Sequence, residues 1–104
     1  MKYISTRDSS VRETASHAIT QGISKDGGLF VPESFPSLHH QDFQEMISMN
    51  YADRAAFVMS GFLSDFTKDE IGECTKLAYC MDRFRVPAVA PLHELYEGVN
   101  LLEL

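Results

Sequence analysis

The sequence lacks the features of a membrane or secreted protein. None of its apolar runs approaches the length of about 20 residues that crosses a bilayer. The N-terminal stretch MKYISTRDSS has no apolar core of the kind found in a signal peptide. Only two cysteines occur, Cys74 and Cys80, and their spacing on a predicted helix points the side chains in different directions. We therefore expect free thiols, a cytoplasmic location and no membrane partner.

Positive charge is also scarce. Nine lysines and arginines stand against fifteen aspartates and glutamates, which gives a net charge of -6 without a long block of either sign. Such a field repels nucleic acid and anionic membranes, so we expect no nucleic-acid partner. The length of 104 residues suits a single domain, residues 1–104, with a modest core.

The chain also lacks the familiar local signatures of catalysis. It contains no GxSxG turn for a nucleophilic serine, and neither a GxGxxG nor a GxxxxGK[ST] phosphate loop. His39 and His40 are adjacent, so their side chains diverge, and no metal site is expected. All four lysines have polar neighbours, unlike the apolar surroundings that activate a Schiff-base lysine: Lys2, Lys25, Lys68 and Lys76. We therefore expect no metal-binding residue and no group that performs covalent catalysis alone.

Apolar periodicity and capping residues predict four helices, the first over residues 11–21. Ser10 and Glu13 fit a capping box at its start, and Gly22 suits a left-handed C-terminal end. The preceding residues 2–6 are rich in strand formers and predict a short N-terminal strand.

The other three helices follow a proline-bounded loop. Residues 40–48 and 51–64 carry apolar side chains at helical spacing, with Asn50 as the cap of the second of these helices. Thr67 and Glu70 form the clearest capping box in the chain and begin a helix over 68–83. The apolar side chains of that helix fall within one broad arc and predict a packing face: Ile71, Cys74, Leu77, Ala78, Met81 and Phe84.

The stretch KDGGLFVPE, residues 25–33, is the most specific segment of the sequence. Asp26, Gly27 and Gly28 are typical of a turn, since adjacent glycines adopt positive φ freely. Pro32 favours an extended backbone before it, so residues 29–31 are expected to pair with the first strand. A phosphate-binding glycine loop is the second interpretation, although no helix begins directly after it to supply partial positive charge.

The last residues predict a strand that lacks a visible partner. Pro87 and Pro91 stop the fourth helix, residues 91–95 predict a loop or short turn, and residues 99–104 predict a strand. A strand needs neighbours and a covering layer, so we interpret the chain as cut from a longer polypeptide. The alternative is a complete small protein whose last strand pairs internally. The expected fold class is α+β, with about four helices packed on a small sheet of short strands.

Several of these stretches together resemble the N-terminal domain of the threonine synthase family. GISKDGGLFVP, residues 22–32, is similar to the family signature G-(L/I)-x-x-D-G-G-L-(Y/F)-V-P, and YISTR, residues 3–7, resembles the family's start. Similarity continues in YADRA, PLHEL and LLEL, so the resemblance spans essentially the whole chain. Asp8 departs from the glycine that the family typically has at that position.

This resemblance implies a pyridoxal-phosphate enzyme of the tryptophan-synthase-β-like fold, which converts O-phospho-L-homoserine and water to L-threonine and phosphate. In that family the Schiff-base lysine lies just beyond the point where this chain ends. The 104-residue piece is therefore expected to be inactive, to bind no cofactor and to have the missing catalytic domain of the same chain as its partner. Six residues near the glycine turn are expected to face the cleft between the two domains: Ser5, Thr6, Arg7, Asp26, Gly27 and Gly28.

Two other functions stay open on the sequence alone. A complete, non-catalytic interaction domain would recruit a partner through an exposed Phe57 surface, where the small Gly61 permits close approach, and through the terminal strand. A small ligand sensor would use the glycine loop to bind a phosphorylated metabolite. Uncovered apolar surface also predicts self-association.

Overall fold

Four helices and four strands make up the computed structural model, which describes residues 1–104. In chain order the elements are β1 (Tyr3–Ser5), α1 (Ala15–Gln21), β2 (Phe30–Pro32), α2 (His40–Ile47), α3 (Tyr51–Phe62), α4 (Lys68–Ala78), β3 (Leu92–Tyr96) and β4 (Val99–Leu102). The strands form two antiparallel pairs, β1 with β2 and β3 with β4. The α+β class is confirmed, with two small sheets in place of the single sheet expected.

The first sheet forms where the sequence predicted it. Ser5 lies opposite Phe30, Ile4 opposite Val31 and Tyr3 opposite Pro32. The pairing continues past the strand ends, because the Thr6 amide donates to the Leu29 carbonyl at 2.9 Å. The Asp-Gly-Gly segment therefore returns the chain to the first strand, as expected.

Helix α1 begins later than the predicted residue 11. Thr14 is its N-cap, and Thr14 Oγ1 accepts a hydrogen bond from the His17 amide at 3.2 Å. The predicted cap is wrong for two physical reasons. The Ser10 hydroxyl donates to Asp8 Oδ1 at 2.7 Å, and the Glu13 backbone pairs with Tyr3 in an extended bridge. The helix does end at Gly22, but the predicted left-handed conformation is wrong, because φ +76° is combined with ψ -71°, outside the left-handed helical region.

Local capping signals place the starts of α3 and α4 correctly. The Asp53 amide donates to Asn50 Oδ1 at 2.9 Å. The Glu70 amide donates to Thr67 Oγ1 at 3.2 Å, and the Thr67 amide donates back to Glu70 Oε2 at 2.8 Å. These two residues thus complete the predicted capping box.

Helix α4 ends at Ala78, five residues before the predicted end at residue 83. Tyr79 leaves the helical conformation and its ring packs edge-on against Tyr51, with centroids 4.9 Å apart. The packing face also differs from the predicted arc. Ile71 and Thr75 are buried one turn apart, whereas Cys74, Leu77 and Ala78 are exposed.

The C-terminal residues form a β-hairpin. Residues 91–95 were expected to be a loop, but Leu92–Tyr96 form β3, which pairs with the predicted terminal strand Val99–Leu102. Gly98, at φ +78°, makes the tight turn between them. The pairing partner therefore comes from the chain itself, but every residue of both strands is exposed.

The core of the module is small. Only eight of 104 residues are buried, and the apolar ones are Ala15, Ala18, Met46 and Ile71. The Cα radius of gyration is 16.5 Å, against about 13 Å for a compact domain of this length. Much of the large apolar surface is consequently left open to solvent. Cys74 and Cys80 are free thiols, and none of the helices combines the length and apolarity that a membrane span requires.

Candidate functional site

The six residues expected to face a cleft lie together at one end of the first sheet. Ser5 ends β1, Thr6 and Arg7 follow it, and Asp26, Gly27 and Gly28 form the turn that leads into β2. The turn is closed at its base by Ser24, whose carbonyl accepts from the Gly27 amide at 2.8 Å and whose amide donates to the Gly28 carbonyl at 2.9 Å. The six residues therefore form one cluster in the structure. Their position in a cleft stays a prediction.

A buried hydroxyl and a carboxylate hold the cluster together. Ser5 is 2% exposed, and its Oγ lies 2.8 Å from each carboxylate oxygen of Asp26. The Gly28 amide donates to Asp26 Oδ1 at 2.8 Å, and the Arg7 amide donates to Ser5 Oγ at 3.2 Å. Asp26 thus joins the strand and the turn through one side chain.

These bonds also fix the charge state of Asp26. Its pKa is lowered chiefly by the backbone N–H of Gly28 and then by the Ser5 hydroxyl, with smaller contributions from Ser24 and the charge of Arg7. A carboxylate stabilised in this way is ionised at neutral pH. Its role in the cluster is that of a hydrogen-bond acceptor that braces the turn.

The two glycines of the turn are required for different reasons. Gly27 has φ +79°, and a Cβ there would lie 2.8 Å from Arg7 Nη1. Gly28 has no positive φ, which corrects the expectation that both glycines use that freedom. A Cβ on Gly28 would instead overlap Ser5 Oγ and lie 3.0 Å from the Arg7 amide nitrogen. Gly28 is needed because strand and turn approach each other so closely.

Thr6 and Arg7 extend the contacts of β1 with the turn. Thr6 Oγ1 accepts a hydrogen bond from the Leu29 amide at 2.9 Å, so a side chain supplies the acceptor beyond the end of the strand. Arg7 Nη1 donates to the Asp26 carbonyl at 3.2 Å, in the space that Gly27 leaves open. Arg7 is otherwise exposed.

Asp8 makes a turn without the glycine typical of the family. Its Oδ1 accepts from the Ser10 amide at 2.9 Å, and its carbonyl accepts from the Val11 amide at 3.2 Å. The φ of Asp8 is not positive, so an ordinary residue is compatible with this turn.

Phe57 and Gly61 lie away from this cluster. A Cβ on Gly61 would lie 3.0 Å from Pro36 Cγ, so the close approach predicted there is made by the chain's own loop. Phe57 is half-buried and lines a cleft of about 500 Å³ between that loop and α3. No group of three or more His, Cys, Asp or Glu side chains is close enough to hold a metal ion.

Sequence reasoning missed Ser24 and Asp65. Ser24 is 5% exposed and closes the turn, and its only sequence signal is its place three residues before Gly27. Asp65 Oδ2 accepts from the Ser16 amide at 2.9 Å and from its hydroxyl at 2.6 Å, and these bonds lower the pKa of Asp65 to about 2. The 49-residue separation of this pair leaves no local signal.

Fold and site together define a small α+β module with a braced Asp-Gly-Gly turn and wide uncovered apolar surfaces. Residues 2–79 match the family model described as the threonine synthase N terminus. The chain therefore belongs to this family.

Individual relatives agree with the family match. The chain is 32% identical over 106 residues to threonine synthase of Schizosaccharomyces pombe, covering 100% of this chain and 20% of that protein. It is also 32% identical over 106 residues to human threonine synthase-like 2, covering 100% of this chain and 22% of that protein. The crystal structure of pyridoxal-phosphate-bound threonine synthase from Brucella melitensis superposes with a TM-score of 0.88 at 28% identity, over 99% of this chain and 22% of that one. The chain thus spans about a fifth of the length of these relatives.

The residues of this chain do not fit a pyridoxal-phosphate site. All four lysines are exposed, so none has the apolar surroundings of a Schiff-base lysine. The amides of Gly27 and Gly28 already donate to Ser24 and Asp26, and the ionised Asp26 would repel a phosphate placed against the turn. Residues 1–104 therefore do not by themselves provide the groups that such a site requires.

Proposed function

We propose that this chain is the N-terminal module of a pyridoxal-phosphate-dependent threonine synthase. The parent enzyme would be a carbon–oxygen lyase that acts on a phosphate ester and converts O-phospho-L-homoserine and water to L-threonine and phosphate. The observation that carries the proposal is the match of the entire chain to S. pombe threonine synthase at 32% identity. The superposition on the Brucella enzyme supports it.

The module contributes architecture in this proposal, and the rest of the polypeptide contributes the chemistry. The Schiff-base lysine and the phosphate cradle belong to the remaining four-fifths or so, judged from the 20% of the S. pombe protein that this chain covers. The chain alone is therefore proposed to be inactive.

The braced turn is proposed to face the cleft between this module and the catalytic part. Ser5, Asp26 and the buried Gly28 would keep the turn rigid, while Thr6, Arg7 and Gly27 form the surface presented to the cleft. The test is Gly27→Ala in the full-length enzyme, with turnover measured per folded molecule. If the variant loses stability but keeps its turnover per folded molecule, the proposal that the turn faces the active cleft is contradicted.

The experiment that tests the function is a phosphate-release assay. Full-length parent protein, loaded with pyridoxal phosphate, is expected to release phosphate from O-phospho-L-homoserine and to form threonine, whereas residues 1–104 alone are expected to do neither. A loaded, folded parent that releases no phosphate contradicts the proposal. Such a result favours one of two alternatives. The parent protein is then either similar to threonine synthase without its activity, as the name of the human relative threonine synthase-like 2 allows, or a non-catalytic interaction protein.

We further propose that the enzyme works in the cytoplasm and binds neither nucleic acid nor membranes. The two free thiols and the net charge of -6 support both statements. Fractionation of cells that express the tagged parent protein tests the location, and recovery in the membrane pellet or outside the cell contradicts it.

A further inference from the structure

One face of the first sheet is apolar and uncovered. Ile4 lies opposite Val31, and Ile23 forms the next bridge with Leu29. Directly opposite residues of an antiparallel pair share a face, and alternate residues along a strand return to it. Ile4, Ile23, Leu29 and Val31 therefore form one surface, the outer sheet face, which points away from the buried Ser5.

The outer sheet face is exposed and held rigidly. Ile23 and Leu29 are 60% and 61% exposed, while Ile4 and Val31 are half-buried. The Leu29 backbone is bonded in both directions to Thr6, at 2.9 Å each. Turn geometry explains Gly27 and Gly28, but it does not require a large aliphatic side chain at residue 29. An ordered apolar surface of this kind is typical of a protein contact.

The size of the face favours an occupant from the same polypeptide. A stable dimer buries about 800 Å² on each partner, and four aliphatic side chains, two of them half-buried, fall well short of that. A segment tethered by the chain has a high effective concentration and needs less area. The relatives supply such a segment, since this chain covers only 20% to 22% of their length.

We propose that the outer sheet face docks against the part of the parent polypeptide outside residues 1–104, through aliphatic side chains that pack on Ile23 and Leu29. This inference rests on the proposed function, because it takes the occupant to be the catalytic part of a threonine synthase. It assigns Leu29 a role in joining the two parts.

Hydroxyl-radical footprinting of the full-length parent, read by mass spectrometry, tests the docking. Ile47 on α2 is the internal control, because it is aliphatic and 79% exposed. With rates normalised to the denatured protein, Ile23 and Leu29 are expected to be oxidised several-fold more slowly than Ile47. Oxidation of Leu29 as fast as Ile47 overturns the proposal. Protection that appears only when the protein associates in sedimentation also overturns it, since the occupant would then be a second copy.

A variant pair gives an independent measurement. Leu29→Asp in the full-length protein is expected to raise the oxidation of Ile4 and Val31 several-fold, because a carboxylate at residue 29 opposes docking. The matched Ile47→Asp variant is expected to leave both unchanged. Retained protection of Ile4 and Val31 in a folded Leu29→Asp protein overturns the docking. Should Leu29→Asp fail to fold, the wild-type footprint decides alone.

The two proposals fail in different ways. A parent that protects Leu29 but releases no phosphate from O-phospho-L-homoserine overturns the proposed function and keeps the docked face. An active parent in which Leu29 is freely oxidised overturns the docking and keeps the function.

Discussion

Gly28 and Ser5 show how closely two segments approach each other at the braced turn. A Cβ at residue 28 would overlap Ser5 Oγ and crowd the Arg7 backbone. Gly28→Ala is therefore expected to lower the free energy of unfolding by about 1–3 kcal/mol, the usual range for overpacking. Urea denaturation followed by circular dichroism measures it.

Gly72→Ala is the matched control for this substitution. Gly72 lies inside α4 with no atom within 4 Å of its added Cβ, so alanine is expected to stabilise by up to about 1 kcal/mol. Equal effects of the two substitutions would contradict the close contact at Gly28.

The lowered pKa of Asp65 predicts that the free energy of unfolding decreases in acid. The Ser16 hydroxyl and amide lower the pKa of Asp65 from 3.8 to about 2 in the folded protein. A lowered pKa stabilises the fold at pH values above the unfolded value, and this contribution is lost as pH falls from about 4 towards 2. Asp65→Asn is expected to be less stable than wild type at pH 7, with the difference vanishing near pH 2. Unfolding curves at several pH values measure this, and a carboxyl that titrates near 3.8 by NMR would contradict it.

The site could be predicted only in part from its residues. Gly27 at the turn follows from local chemistry, because an Asp-Gly-Gly sequence favours positive φ. The bond between Ser5 and Asp26 joins residues 21 apart, and no spacing rule brings them together. The resemblance to a family named these residues together, and their position in a cleft stays a prediction. The reason for Gly28 is visible only in three dimensions.

At the scale of elements, the start of helix α1 decides between two candidate N-caps, Thr14 and Ser10. Thr14 Oγ1 accepts from the His17 amide, whereas the Ser10 hydroxyl donates to Asp8 outside the helix. Thr14→Ala is expected to cost about 1 kcal/mol, the usual value of an N-cap. Ser10→Ala is expected to stay within about 0.5 kcal/mol, as surface substitutions do. Thermal unfolding of both variants measures the two losses of stability. A larger loss for Ser10→Ala than for Thr14→Ala would support a helix that begins at residue 11.

Elements were predicted well where the signal is local. Thr67 with Glu70 lies within one helical turn, so the start of α4 could be placed from the sequence. The end of α4 could not, because Tyr79 is held by the distant Tyr51. Strand β3 was missed for a similar reason, since it acquires its conformation by pairing with β4.

The whole molecule has a radius of gyration of 16.5 Å, larger than the value of about 13 Å for a compact domain of this length. We expect the isolated chain to keep this extended shape in solution. Three of the four helices have a side-chain N-cap, at Thr14, Asn50 and Thr67, so the isolated chain is expected to fold and to show helical circular dichroism. Small-angle scattering at low concentration is expected to give a radius of gyration close to 16.5 Å. A value near 32 Å would indicate an unfolded chain. A rise with concentration would support the predicted self-association.

The positive φ at residue 27 restricts how this turn can diverge between lineages. The Arg7 guanidinium near an added Cβ is the far end of an exposed side chain and can move aside, so the φ of +79° is the demand that a replacement must meet. Asparagine and aspartate adopt positive φ more readily than other residues that carry a Cβ. Lineages that lose this glycine should therefore carry asparagine or aspartate there more often than a β-branched residue.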